Sequence, residues 1–247
     1  MRSFDYIESG KTLLTPHTTS LLAAIHEAKG RQSIQTTIRP DILGTLVAVA
    51  RIQSTDASNR IEGISTSDSR LNDLVSEKVT PRNRNEEEIA GYRDVLSAIH
   101  ESHDYIPITP NVILQLHRDL FRHTPLTFAG HFKDSDNVII ERDAHGTSTV
   151  RFAPPSALVT PELIERACSA YTQAIRDGHT DPLLAIAMFI LDFTCIHPFN
   201  DGNGRMSRLL TLLMLYRNGY MVGKYISIEH LIEQSKRTYY EAMAAST

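Results

Sequence analysis

His197-Pro198-Phe199-Asn200-Asp201-Gly202-Asn203-Gly204-Arg205-Met206-Ser207-Arg208 is the stretch from which the rest of the chain can be read. One apolar run, Leu183 to Ile196, leads into it, and a second, Leu209 to Tyr216, follows it. Runs that are apolar nearly all round belong to buried helices. Two buried helices presenting one short polar loop are therefore expected. Gly202 and Gly204 let the backbone take positive φ and come close to a ligand. Successive amides in such a turn form a concave anion site, and a helix starting near Gly204 adds its positive end. Arg205 and Arg208, three apart, can both face the loop, and guanidinium forks match phosphate oxygens. Asp201 is a hard ligand suited to Mg2+ bridging phosphates. His197 can accept a proton near neutral pH. Positioning, charge neutralisation and a base are most of what phosphoryl-type transfer requires.

Composition alone does not decide this. A Gly-Asn-Gly turn between helices is common. The dinucleotide fingerprint needs a third small residue where Ser207 stands, after a strand that is not there, and no P-loop pattern occurs. The order of residues is more specific. It resembles the signature of the Fic family, His-Pro-Phe-x-(Asp/Glu)-Gly-Asn-Gly-Arg-x-x-Arg, at every defined position. The resemblance implies a mostly helical, all-α Fic fold with one small β-hairpin flap. It also implies transfer of AMP from ATP to a Ser, Thr or Tyr hydroxyl of a protein, with release of pyrophosphate. His197 would be the base and Asp201 the Mg2+ ligand. The nucleotide would lie against Asn200, Gly202, Asn203, Gly204, Arg205 and Arg208, the two arginines holding the β and γ phosphates. Phe199 would anchor the loop in the core. The kinase-like branch of the family carries lysine near the second glycine; Gly204 stands there, which favours nucleotidyl transfer.

Two further segments fit the same resemblance. Ser58-Asn59-Arg60-Ile61-Glu62-Gly63 resembles the family's inhibitory motif, (Ser/Thr)-x-x-x-Glu-(Gly/Asn). Ser58 and Glu62, four apart, lie on one helix face. Carried over, Glu62 would pair with Arg208 and keep ATP in a non-productive pose, as in the class with an N-terminal inhibitory helix. Val138-Ile139-Ile140 and Thr149-Val150-Arg151-Phe152 are β-prone, with turn residues Asp143-Ala144-His145-Gly146 between them. In the family a flap there docks the target, and an exposed edge is a plausible peptide-binding device. In the family a Tyr-Tyr pair like Tyr239-Tyr240 lies near the nucleotide, which implies a contact from Tyr240.

The remainder frames these motifs. The 247 residues, 41% hydrophobic and 22% charged, are ordinary for a globular chain. The net charge of −4 gives no reason to expect nucleic-acid binding. Cys168 and Cys195 sit in apolar helical patterns and are expected to be buried thiols. No signal peptide opens the chain and no charge-free run reaches membrane length; a cytoplasmic protein without membrane contact is expected.

Residues 1–85 are expected to form a helical extension carrying the inhibitory helix, about 55–63, and residues 86–247 the catalytic core. Residues 1–10 read as a loose arm and 64–84 as a connection. Helices are expected over Leu21–Ala28, from Pro40, over Glu86–His100, after Thr109-Pro110, after Thr160-Pro161 and after Asp181-Pro182, the last three with capping residues. Asn218-Gly219 closes the helix after the loop, and one amphipathic helix spans Ile228 to Ala245. His100-Glu101-Ser102-His103 lacks the zinc-protease spacing and reads as solvated histidines at a helix end. The chain stops at Ala244-Ala245-Ser246-Thr247, where many members of the family continue.

The expected partners are ATP and a hydroxyl-bearing protein, which the chain itself could supply, and a homodimer is one arrangement the resemblance allows. Removal of AMP, another nucleotide donor, and a regulatory protein-binding module are the alternatives.

Overall fold

A computed structural model describes residues 4–38, 40–142 and 148–246, with side chains left aside at 33–41, 140–149 and 151. Its helices are α1 (Tyr6–Leu13), α2 (Pro16–Ile38), α3 (Pro40–Ile61), α4 (Asp68–Val75), α5 (Arg84–Ser102), α6 (Pro110–Leu120), α7 (Thr160–Asp177), α8 (Pro182–Ile196), α9 (Asn203–Arg217), α10 (Ile228–Gln234) and α11 (Lys236–Ala245). Strands β1 (Ile139–Arg142) and β2 (Ser148–Phe152) run antiparallel, Ile140 opposite Val150, with a register irregularity between Ile139 and Ile140. The turn proposed at Asp143-Ala144-His145-Gly146 lies outside the described residues.

The core forms around α8, the most apolar helix, and α9, whose run from Leu209 to Tyr216 is almost wholly buried, and the others close round them. Phe189, Phe193, Phe199, Leu209, Leu210 and Leu213 are all fully buried, so both helices flanking the loop are enclosed by protein. Helix α7 packs on α8 and α5 on α9, and α6 lies against α5 and α7. Helix α5 crosses α6 at Gly91, where an added methyl would run into the Leu120 carbonyl; only glycine permits that approach. A second cluster, Leu71, Leu74, Val75 and Ile89, with Ile52 and Ile64 against it, joins α3 and α4 to α5.

Local capping explains several helix starts. Thr109 Oγ1 accepts from the Val112 amide and Asp181 Oδ1 from the Leu183 amide, each beside a proline at N1. The Thr160-Pro161 pair departs from this pattern. The cap of α7 is Val159, and Thr160 is buried with its hydroxyl donating to the Ser156 carbonyl. At the other end of a helix, Gly219 closes α9 with φ +78°.

Four other readings are corrected. Residues 1–10 are not a loose arm over the part described: Asp5 caps α1, and Tyr6, 2% exposed, donates to Asp192. The 64–84 segment contains α4, whose Leu71, Leu74 and Val75 supply one apolar face too short to stand out among polar neighbours. The segment 228–245 is two helices, breaking at Ser235. His100 is buried rather than solvated, and His103 is largely covered; both rings pack on Tyr216. Of the cysteines, Cys168 is buried, which pushes its thiol up to about 12, while Cys195 is only half-buried; the two do not form a disulfide. Among the described residues no helix is long and apolar enough to cross a membrane.

Candidate active site

Helix α8 ends because His197 takes a left-handed conformation, φ 50°, ψ 63°, with its amide donating to Phe193. A non-glycine residue there is uncommon and carries strain, so the surrounding structure must hold it. The Asn203 side chain does part of this work. Its amide donates to the Phe199 carbonyl at 2.7 Å and its oxygen accepts from the Phe199 amide at 2.9 Å. Phe199 is wholly buried and stacks on His117, ring centroids 3.7 Å apart. His117 accepts from the Gly130 amide on Nδ1, so its Nε2 carries the proton and donates to the Asp201 carbonyl. Burial lowers the pKa of His117 to about 4, which keeps the ring in this neutral form. Sequence reasoning missed His117, because nothing near residue 117 points to a loop eighty positions away.

Gly202, φ +81°, begins α9 without a side-chain cap, leaving first-turn amides open to an anion. Asp201 stands at this mouth with its side chain 46% exposed. Its Oδ1 accepts from the Gly202 amide at 2.6 Å, and Oδ2 lies 3.6 Å from Arg84. Asn200 is exposed and donates to Asp134. His197 is largely buried, and burial first and the Lys133 charge second hold its pKa below the ordinary value. The Thr194 carbonyl, Glu62 and Asp201 act in the other direction. The imidazole is thus kept neutral, the form in which it can accept a proton.

The two arginines part company. Arg208, 3% exposed, donates from Nε to Ser58 Oγ at 2.8 Å and from a terminal nitrogen to the Ser58 carbonyl at 2.9 Å and Glu62 Oε1 at 2.7 Å. Ser58, in the last turn of the 22-residue α3, and Glu62, one residue past its end, therefore face Arg208 together, as their spacing predicts. A methyl group at Gly204 would run into the Glu62 carboxylate, so that carboxylate sits directly over the start of α9. Lys236 donates to the Ile61 carbonyl at 2.9 Å and fastens this end of α3. Tyr240 is near enough to both Arg208 and Glu62 for each to act on its phenol.

Arg205 departs from expectation. It turns under the loop, 1% exposed, with NH1 2.7 Å from Glu88 and its guanidinium 5.0 Å above the Phe121 ring. Glu88, itself buried, also binds Arg84 at 2.8 Å. Both residues lie on α5, outside the signature, and were not read as site residues. Of the proposed docking residues, Val138 is exposed and Ile139 half-buried, while the side chain of Ile140 lies outside those described.

Residues 107–215 match the Fic/DOC family. A Fido domain-containing protein of Dictyostelium discoideum is 37% identical over 90 residues, 35% of this chain and 58% of that protein. Protein adenylyltransferase fic-1 of Caenorhabditis elegans is 28% identical over 127 residues, 50% of this chain and 22% of that protein. The chain thus spans less than two thirds of either relative. Among solved structures, a Fic family protein from Desulfovibrio desulfuricans G20 superposes with TM-score 0.74 at 24% identity, covering 94% of this chain and 67% of that one. A Fic domain containing signaling protein from Bacteroides thetaiotaomicron gives 0.73 at 23%, covering 90% and 80%. At such identities the likeness speaks to the fold.

Proposed function

We propose, from the match of residues 107–215 to the Fic/DOC family, that the chain is a protein adenylyltransferase held back by Glu62. The target hydroxyl would give its proton to His197 as its oxygen attacks the α-phosphorus of ATP. The bond to the β-phosphate oxygen would break, and pyrophosphate would leave in line with the attacking oxygen. The amides of Gly202, Asn203 and Gly204 would cradle the phosphates, and Arg208 would take the γ-phosphate. Arg205, buried against Glu88, would hold the loop in shape.

The donor set suits Mg2+. Asp201 offers one half-exposed carboxylate at the mouth of the loop. That matches an ion that keeps several waters and takes phosphate oxygens. When bound it would neutralise charge on the departing pyrophosphate. Val138, Ile139 and Ile140 would present the target backbone.

The observation that carries the reading is Glu62 Oε1 at 2.7 Å from Arg208, over the amides where a triphosphate would lie. The pairing occupies the arginine that the γ-phosphate needs. The name of the Caenorhabditis elegans relative, protein adenylyltransferase, supports the reaction class. The test incubates wild type, Glu62→Gly and Glu62→Gly/His197→Ala with Mg2+ and ATP and follows intact mass. One AMP added in Glu62→Gly and lost in the double variant supports the proposal; no addition in Glu62→Gly refutes it.

The same carboxylate favours a second reading. Its side chain is 33% exposed and would there hold a water against an AMP-modified hydroxyl, so that wild type would remove AMP. Incubating an AMP-modified protein with wild type separates the two directions.

A further inference from the structure

We propose that Lys133 is a positioning residue that ties the segment leading to β1 to the catalytic loop and aims His197. The inference rests on the transferase reading with His197 as base. Lys133 is 3% exposed, rare for a lysine. Its ammonium donates to the Ile196 carbonyl at 3.1 Å and to Asn137 Oδ1 at 2.9 Å, and its own amide donates to the Pro198 carbonyl at 2.8 Å. Asn137 in turn donates to the Phe199 carbonyl at 3.3 Å. The carbonyls so held, those of Ile196, Pro198 and Phe199, bracket His197 on both sides. That residue has a strained left-handed backbone and needs such restraint. A cation on the last carbonyl of α8 also suits the negative end of that helix.

An aliphatic side chain would fill the same space without the cost of burying a charge, so packing alone does not explain a lysine. Its charge acts on the His197 imidazole together with burial, opposed by Glu62 from α3, Asp201 from the loop and the Thr194 carbonyl from α8. The next residues in the chain run through Asn137 to Val138 and Ile139, the edge assigned to target docking. One side chain therefore links three things: the docking segment, the strained turn and the protonation state of the base.

The experiment uses the Glu62→Gly chain, with Lys133→Met, Lys133→Arg and Asn137→Ala added singly. It measures automodification with ATP and Mg2+ across pH, and titrates His197 by NMR of the imidazole carbons. Lys133→Met is expected to lower kcat by about 100-fold, the scale of a misplaced catalytic group, with KM for ATP within about threefold. It is also expected to raise the His197 pKa, moving the acid limb of the pH profile upward. Lys133→Arg should restore the limb and most of kcat. Asn137→Ala should lower kcat about tenfold with the limb unmoved, since the charge stays. If Lys133→Met does not fold, Asn137→Ala decides, and full activity there overturns the proposal. A folded Lys133→Met with unchanged kcat and an unmoved His197 titration also overturns it. If no chain adds AMP, the transferase reading is at fault, and the NMR titration of Lys133→Met decides the role of Lys133 by itself.

Discussion

Replacing Glu62 by glycine should make the protein less stable and more active. The two effects come from one contact. Arg208 is 3% exposed and Glu62 33% exposed, with 2.7 Å between their charged atoms. A hydrogen bond to a charged group contributes about 1.5–3 kcal/mol, and partial solvent exposure places this one near the lower half, about 2 kcal/mol. On the proposed reading a γ-phosphate has to displace Glu62 to reach Arg208, so that amount would be subtracted from productive binding. At about 1.4 kcal/mol per factor of ten, removing Glu62 should raise the initial rate of AMP addition by roughly 30-fold at subsaturating ATP. Without nucleotide, the variant leaves a buried cation held by Ser58, and unfolding in urea should show a loss of about 2 kcal/mol. Excess ATP should restore it, since ligand at a hundred times Kd adds about 2.7 kcal/mol. The assays are intact mass against time and urea unfolding with and without ATP. A Glu62→Gly chain that is destabilised but no faster than wild type would show that the pair is merely structural.

Other outcomes follow from single contacts. Gly204→Ala should cost stability through collision with Glu62, and the cost should shrink by about 1 kcal/mol when Glu62 is also glycine; a double-mutant cycle with no coupling would contradict the placement of that carboxylate. His117→Leu should cost about 2–3 kcal/mol in urea unfolding, because the Asp201 carbonyl and Gly130 amide lose their partner. The pH dependence has a definite sign. His117 and His100 both have folded pKa values lowered to about 4, burial being the first cause. The unfolded chain binds their protons first, so their stabilisation is present above about 6.5 and is lost as pH falls from there to about 4. Urea midpoints should fall over that window, less steeply in His117→Leu; a flat profile would count against neutral, buried rings. Asp181→Ala should cost about 1 kcal/mol by uncapping α8, measured the same way.

What could be read along the chain was whatever one element settles by itself. The loop at 197–208 between two apolar runs, the caps at Thr109 and Asp181, the glycine stop at Gly219 and the shared face of Ser58 and Glu62 each depend on a few neighbouring residues. Their geometry follows from helix periodicity and backbone preference. Readings that extended such a rule without a partner in view went astray: Thr160 is a buried hydroxyl rather than a cap, and α4 was hidden because three apolar residues do not make a visible period. The choice of ion-pair partner was decided by the tertiary structure. Arg205 and Arg208 stand three apart with the same chemistry, yet one meets Glu88 beneath the loop and the other Ser58 and Glu62 above it. Lys133 reaching the end of α8, His117 reaching Asp201, and Lys236 fastening α3 after a break at Ser235 belong to the same class. The reason is physical. A cap or a turn is decided over one helical turn of chain. A buried charge takes its partner from whichever helix packing brings within about 3 Å, and spacing along the sequence carries no information about that distance.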